Sequence, residues 1–389
     1  MFIDPEVSLR SDKIQALAEK AVTTFRDRAP EYDPTCDMPT KNIDDLFAGG
    51  WLTCAVSKKT GGMGSNLDTD DPATYLQAIR VTARGCSSTA HCLQVNNHTA
   101  WILDAIGTDY QKEKFVKPGL KRPFLASFVG SEPNRKHMYI MSTTAKPDGK
   151  GGYIVNGVKN YATNGPTMDF AIIFASVEGV NDYQNNHLMT IIETNQKGVR
   201  VDNEWYRPLG MRGAASPVVY LDNVHVPKEH VLGEPGAFPR QRWQGKYHLG
   251  FTANYLGTAE GMFEWFRDYA QKKGKAKDPI ILMRTGEMKI QLNAAQSLFH
   301  DAIRAWKTKS VVEAELLAMS AKYTAAHTAL NLARAITEGA GSTALFEEFP
   351  LGRMIRDLQT HILHAGHDKT AQIVGQSQMG GEFDSTLQR

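Results

Sequence analysis

After Pro235 the chain carries four long stretches of helical periodicity, over 240–273, 279–307, 311–338 and 350–376. Helices of that length with one apolar stripe need each other to bury it, so a four-helix bundle is expected at this end. The segment 272–278 is the one obvious polar linker, and no internal repeat or low-complexity tract appears.

The beginning of the chain is helical as well. Ser11-Asp12 can cap a helix through Ile14, Leu17, Ala18, Ala21 and Val22, which recur at the i, i+3, i+4 spacing. Asp71-Pro72 opens a second helix through Leu76, Ile79 and Val81, residues 88–104 form a third, and a fourth starts at Asp109 and stops at Pro118-Gly119. Between about 122 and 232 the character changes. Residues 138–146 alternate like a strand, Pro147-Asp148-Gly149 is a turn, 153–155 is a second strand, and Asn156-Gly157 signals a tight hairpin. Segments 170–176, 187–193 and 218–223 complete a set of short strands. The expected class is α+β in three parts: an all-helical domain over 1–121, a central β-barrel or sandwich domain over 122–235, and the helical bundle over 236–389.

Bulk properties narrow the function classes. With 44 Lys plus Arg against 42 Asp plus Glu, there is no electrostatic case for nucleic acid or an anionic membrane. No apolar run approaches the ~18 residues of a membrane span, and the opening MFIDPEVSLR is acidic and polar rather than signal-like. Cys36, Cys54, Cys86 and Cys92 form no CxxC pair, so reduced thiols in a cytoplasmic protein are expected.

The stretch from Gly152 through Tyr153, Asn156-Gly157 and Lys159 to Tyr161, Thr163 and Asn164-Gly165 resembles the G-Y-x-L-N-G-x-K-x-W-I-T-N-G element of the acyl-CoA dehydrogenase superfamily. Leu209-Gly210-Met211-Arg212-Gly213, Val224-His225-Val226-Pro227 and Ser131-Glu132-Pro133 are similar to further elements of it. The resemblance implies a flavoenzyme. A flavin ring needs an aromatic or apolar platform and a few fixed donors at its polar edge. Tyr161 would lie against the ring and Thr163 near its N5, two positions apart on one strand face. Backbone amides around Val129, Gly130 and Ser131 would meet the pyrimidine edge, with Asn164, Arg353 and Arg356 as further cofactor contacts.

Two departures qualify that picture. Oxidising a saturated thioester needs a base for the α proton. Most of the family supplies a Glu shortly after an R-D pair; here Arg356-Asp357 is followed by His361, His364 and Ala365, with Ala365 at the Glu position. The alternative position, on the first bundle helix, falls at Tyr247 or His248. The elements that hold the adenylate half of FAD are also altered, to Gln271-Lys272-Lys273-Gly274 and Thr337-Glu338-Gly339-Ala340-Gly341, while Lys and Arg for a single phosphate remain.

Together with Phe349-Pro350-Leu351-Gly352-Arg353 and the histidines that follow, these departures resemble the flavin-dependent monooxygenase branch of the superfamily. That branch implies a small organic substrate oxidised at C, N or S, O2, reduced FMN (FAD as the alternative) from a separate flavin reductase, and a homotetramer. Its pockets use hydrogen-bond donors, often imidazoles, and exclude water. His364 is the first catalytic candidate, with His361 three positions away on the same expected helix. His91 and His98, seven apart on the helix 88–104, are the others. Three histidines along one helix (His361, His364, His367) cannot all converge on a metal, so none is expected. The competing readings are an FAD-holding acyl-CoA dehydrogenase or thioester enzyme with an atypical base such as His248, and a catalytically silent binding subunit.

Overall fold

The structure, a computed structural model, describes residues 2–133, 137–364 and 366–387. Helices fill the chain as far as Leu120, strands lie between Leu125 and Val226, and long helices resume at Trp243. Local chemistry explains where several begin. Thr108 and Gln111 form a reciprocal cap for Asp109–Phe115. Asp278 accepts from the amides of Ile280 and Ile281 at the head of Pro279–Thr308, and Ser310 with Glu313 does the same for Val311–Ala340. Ser11 precedes the helix Asp12–Lys20, but its hydroxyl donates to the Ser8 carbonyl instead of capping.

Seven strands among the described residues make one sheet: β1 (Leu125–Val129), β2 (Thr144–Pro147), β3 (Tyr153–Lys159), β4 (Met168–Val177), β5 (His187–Glu193), β6 (Val199–Asp202) and β7 (Val218–Val226). Their order is β1-β4-β2-β3-β7-β6, with β5 antiparallel along β4. One face, including Val129, Ile173, Leu188 and Val224, packs on itself as a separate apolar cluster; the other, through Phe170, Ile172, Phe174 and Met189, joins the main helical core.

Three local expectations need correction. Asn156-Gly157 is not a hairpin but lies inside β3, at a register shift against β7; the turn into β3 is made by 148–152 instead. Glycine is required at 157 by close approach, since a Cβ there would sit 2.5 Å from the Thr143 hydroxyl. The strand expected over 138–146 is confined to Thr144–Pro147, because 138–143 is held by irregular contacts such as Met141 N–H to the Ser176 hydroxyl. The single helix expected over 350–376 is broken: Leu351–His361 passes into a tight turn, Ile362–His364, and a new helix starts at His367.

The helix Ser87–Ile106 is buried along almost its whole length and so must satisfy its polar side chains internally. Asn97 donates to the Trp51 carbonyl and accepts from Ala55 N–H, while Asn96 accepts from Ala126 N–H and so fixes this helix to β1. The bundle helix Trp243–Lys272 approaches Thr74–Ala83 closely enough that a Cβ at Gly257 would meet the Arg80 carbonyl oxygen at 1.9 Å. Beside that contact Arg80 and Glu260 form a buried ion pair of 2.5 Å. Burial raises the Glu260 carboxyl, but Arg80 more than offsets this and the group stays below its ordinary range. Among the described residues no helix is long and apolar enough to cross a membrane.

Candidate active site

Where Ser87–Ile106, Trp243–Lys272, Val311–Ala340 and the end of β1 meet, they leave a cavity of about 120 Å³. Its wall is largely aromatic. Phe128 and Phe174 meet edge to face at 4.9 Å, Phe174 lies 4.8 Å from Phe238, and Tyr247 stands perpendicular to Phe128 at 5.5 Å. Such a surface excludes water and offers flat contact to a ring.

Polar groups enter from one side of the buried helix. His91, Gln94 and His98 follow the i, i+3, i+7 spacing and all line the cavity. The Nε2 of His91 lies 3.2 Å from the Thr163 hydroxyl, which is 3.0 Å from that of Ser216. The His361 ring stands edge-on to His91 with centroids 4.7 Å apart, and His364 lies 6.0 Å from His91 and stacks on Phe251 at 4.6 Å. His364 is therefore at the cavity, reaching it from the turn after the helix rather than from the helix itself. His361 is buried one layer behind, its backbone carbonyl accepting from the Tyr255 hydroxyl at 3.3 Å. His98 stacks on Tyr247 at 4.2 Å with rings 9° from parallel. The expected histidines thus converge, although they come from three separate segments.

Burial sets their charge. It holds the imidazole of His91 down to about 4 and that of His98 to about 3, and it depresses His361 well below the ordinary histidine range. These rings are neutral at pH 7, each able to donate from one nitrogen and accept at the other.

The residues expected to hold a cofactor divide into two groups. Gly130, Ser131, Tyr161 and Thr163 line the cavity. Their loop is fixed by the Asn160 N–H donating to the Ser131 carbonyl, and by Glu132, which accepts from Thr143 and pairs with the buried Lys159 at 3.0 Å. Tyr161 and Thr163 do not share a strand, however: β3 ends at Lys159, and Tyr161 has φ +59°. That bend leaves Tyr161 half exposed at the mouth, 5.4 Å from Trp205, and turns Thr163 inward. The other group lies away from the cavity lining. Val129 packs in the second apolar cluster, the Asn164 amide donates to the Ala126 carbonyl, Arg353 binds the Gly85 carbonyl, and Arg356 pairs with Asp33. Ala365 lies outside the described residues.

Among the lining residues that the sequence did not single out are Gln94 and Lys322. Gln94 could have been found from its spacing to His91. Lys322 sits on the buried alanine stripe of its helix (Ala318, Ala321, Ala325), and a lysine there is itself a signal. Its ammonium lies 3.4 Å from Nδ1 of His248, which burial, assisted by that cation, holds well below the usual histidine range.

Three family models match in chain order: the acyl-CoA dehydrogenase N-terminal domain over residues 6–122, the middle domain over 127–224 and the C-terminal domain over 249–369. The chain belongs to the acyl-CoA dehydrogenase family. It is 26% identical over 385 residues to the dibenzothiophene monooxygenase of Mycolicibacterium goodii, which spans 92% of this chain and 91% of that protein. It is also 26% identical over 385 residues to the 3-(aryl)acrylate reductase of Clostridium sporogenes, with 96% and 98% covered. The crystal structure of FMN-bound TdsC from Paenibacillus sp. A11-2 superposes with a TM-score of 0.85 at 24% identity, over 97% of this chain and 99% of that one, and so shares the fold. Within this acyl-CoA dehydrogenase family chain one feature of the cavity bears on the chemistry: among the described residues, no carboxylate lines it.

Proposed function

We propose that the chain is a flavin-dependent monooxygenase of the two-component type, using O2 and reduced flavin from a separate reductase to oxidise a small organic molecule at C, N or S. The observation that carries this reading is the cavity lining, with its aromatic walls and neutral imidazoles and with no carboxylate among the described residues. Abstraction of an α proton from a thioester requires a base of adequate strength. His248, the base available to a dehydrogenase, is depressed by burial and by Lys322, which makes it a poor proton acceptor at pH 7.

The residues present fit a flavin ring. Tyr161 and Trp205 offer aromatic surface at the mouth, and Gly130, Ser131 and the Thr163 hydroxyl offer polar contacts inside. When bound, reduced flavin supplies the two electrons that let O2 give one atom to the substrate and the other to water. The chain's own groups hold and orient. Phe128, Phe174 and Phe238 keep water out, Thr163 and His91 fix the polar side, and His364, which also lines the cavity, donates or relays a proton at the reacting oxygen in this reading. FMN is favoured over FAD, because the elements that hold the adenylate half are altered at Gln271 and Thr337, and the Thr337 hydroxyl is engaged by its own helix at the Ala333 carbonyl. A homotetramer, with a dimer as the fallback, and a cytoplasmic location complete the reading; four buried, unbridged cysteines suit a reducing compartment.

The test against a dehydrogenase is anaerobic. Acyl-CoA thioesters of several chain lengths are added to the chain reconstituted with FAD, and flavin absorbance is followed. No bleaching is expected; rapid bleaching by any of them overturns the reading.

A further inference from the structure

We infer that the cavity selects a planar aromatic molecule whose edge carries an N–H donor beside a carbonyl acceptor, an aromatic lactam or carboxamide, and that Gln94 is the residue that selects it. This rests on the oxygenase reading only for what then happens to the molecule; the selection itself is a matter of binding.

Gln94 is fully buried and lines the cavity; His91 is near enough to feel its amide, yet neither the amide oxygen nor the amide nitrogen makes a hydrogen bond of normal geometry. Buried side-chain amides in folded proteins are almost always paired, and one left with both atoms open points to a ligand that closes them. A primary amide presents an acceptor and a donor side by side. Its complement is an edge with a donor and an acceptor at the same spacing, the pairing by which Gln or Asn reads the N6/N7 edge of adenine.

One turn further along, Nε2 of His98 is also without a partner. That ring cannot swing away to find one, because it is stacked on Tyr247, whose hydroxyl donates to the His98 carbonyl at 3.1 Å. The facing bundle helix is shaped to keep both groups in place. A Cβ at Gly250 would come within 2.8 Å of the His98 ring and 3.1 Å of the Gln94 Cγ, so glycine there leaves room for them as they stand. Around this polar edge the walls are aromatic, so the body of the ligand is a flat ring system. An aromatic hydrocarbon or plain thioether would fill the walls and leave the Gln94 amide unsatisfied.

Sites built to pair an N–H or O–H reject analogues without it far more strongly than apolar pockets discriminate by size. Calorimetry on the purified full chain with 2-quinolinone and quinoline, which share a ring system but differ in the N–H/C=O edge, tests the inference. The expected result is about 100-fold tighter binding of 2-quinolinone. Gln94→Leu is expected to abolish that preference while leaving quinoline and reduced FMN affinities unchanged; Gln94→Met serves the same purpose if the first variant does not fold. Equal affinity for the two rings overturns the inference. So does a Gln94 variant that loses reduced FMN while keeping 2-quinolinone, since the amide would then read the cofactor's own edge. Selective binding of 2-quinolinone without its oxidation by reduced FMN and O2 counts against the oxygenase reading alone, whereas oxidation without selectivity counts against this inference alone.

Discussion

The Thr163 hydroxyl lies 3.2 Å from Nε2 of His91, joining the loop after β3 to the buried helix Ser87–Ile106 at the floor of the cavity. Two further imidazoles surround that contact. His361 backs His91 at 4.7 Å, and the His364 ring lies 6.0 Å from it. Oxygen transfer and proton movement are expected in the space between Thr163 and His364.

The first prediction concerns His364. Removing it takes away the imidazole that lines the cavity from the C-terminal segment while leaving His91 and His361 in the chain. His364→Ala is expected to slow product formation by roughly 10²–10⁴-fold. Reduced flavin should still be consumed, with O2 diverted to hydrogen peroxide. Wild-type coupling and rate in this variant would shift the role to His91 or His98.

A second prediction is that FAD gains nothing over FMN. The elements that would grip an adenylate are altered at Gln271 and Thr337, and the Thr337 hydroxyl is bonded to its own helix. Calorimetry with the two reduced flavins should give similar affinities. A tenfold preference for FAD, ~1.4 kcal/mol, would contradict the assignment.

Stability should fall in mild acid. Burial lowers His91 to about 4, below its ordinary 6.5, so between these values the unfolded chain binds the proton and the folded chain does not. The contribution is fully present above about pH 6.5 and is lost as pH falls toward about 4, to the extent of roughly 3 kcal/mol for this ring. His98 acts in the same direction, over a window extending to about 3. Thermal melts should show a lower Tm at pH 5 than at pH 7, and His91→Gln should make that dependence shallower. An unchanged slope in the variant would mean that this ring is not neutral in the fold.

Assembly provides a fourth prediction. Ile280, Leu282, Met283 and Ile290 are each more than half exposed on Pro279–Thr308, an apolar face that a lone chain would leave in water. Light scattering at micromolar concentration should give a tetramer, or at least a dimer, and Ile280→Lys with Ile290→Lys should lower the mass. A monomeric wild type would rule out the proposed assembly.

The sequence made the long helices legible because their periodicity is set by burial of one face, as in Val311–Ala340, while β5, buried on both faces, is legible as a short continuous apolar run. It misled where tertiary contact overrides local preference. Asn156-Gly157 has turn chemistry but serves a close approach to Thr143, and Tyr161 looks like strand but adopts a left-handed bend. The histidines could be found because family resemblance and helical spacing marked them. Gln94 carries no motif beyond its spacing to His91, and its meaning emerges only when both amide atoms are seen buried without a hydrogen bond of normal geometry.

The most direct test of the oxygenase reading is to follow labelled O2. The chain is incubated with FMN, a flavin reductase and its reductant, and a panel of aromatic lactams, phenols, amines and thioethers, and the products are weighed by mass spectrometry. The account predicts a product carrying one labelled oxygen atom, formed only when chain, reduced flavin and O2 are all present. Absence of label from every product, together with bleaching of bound FAD by an acyl-CoA thioester, would contradict it.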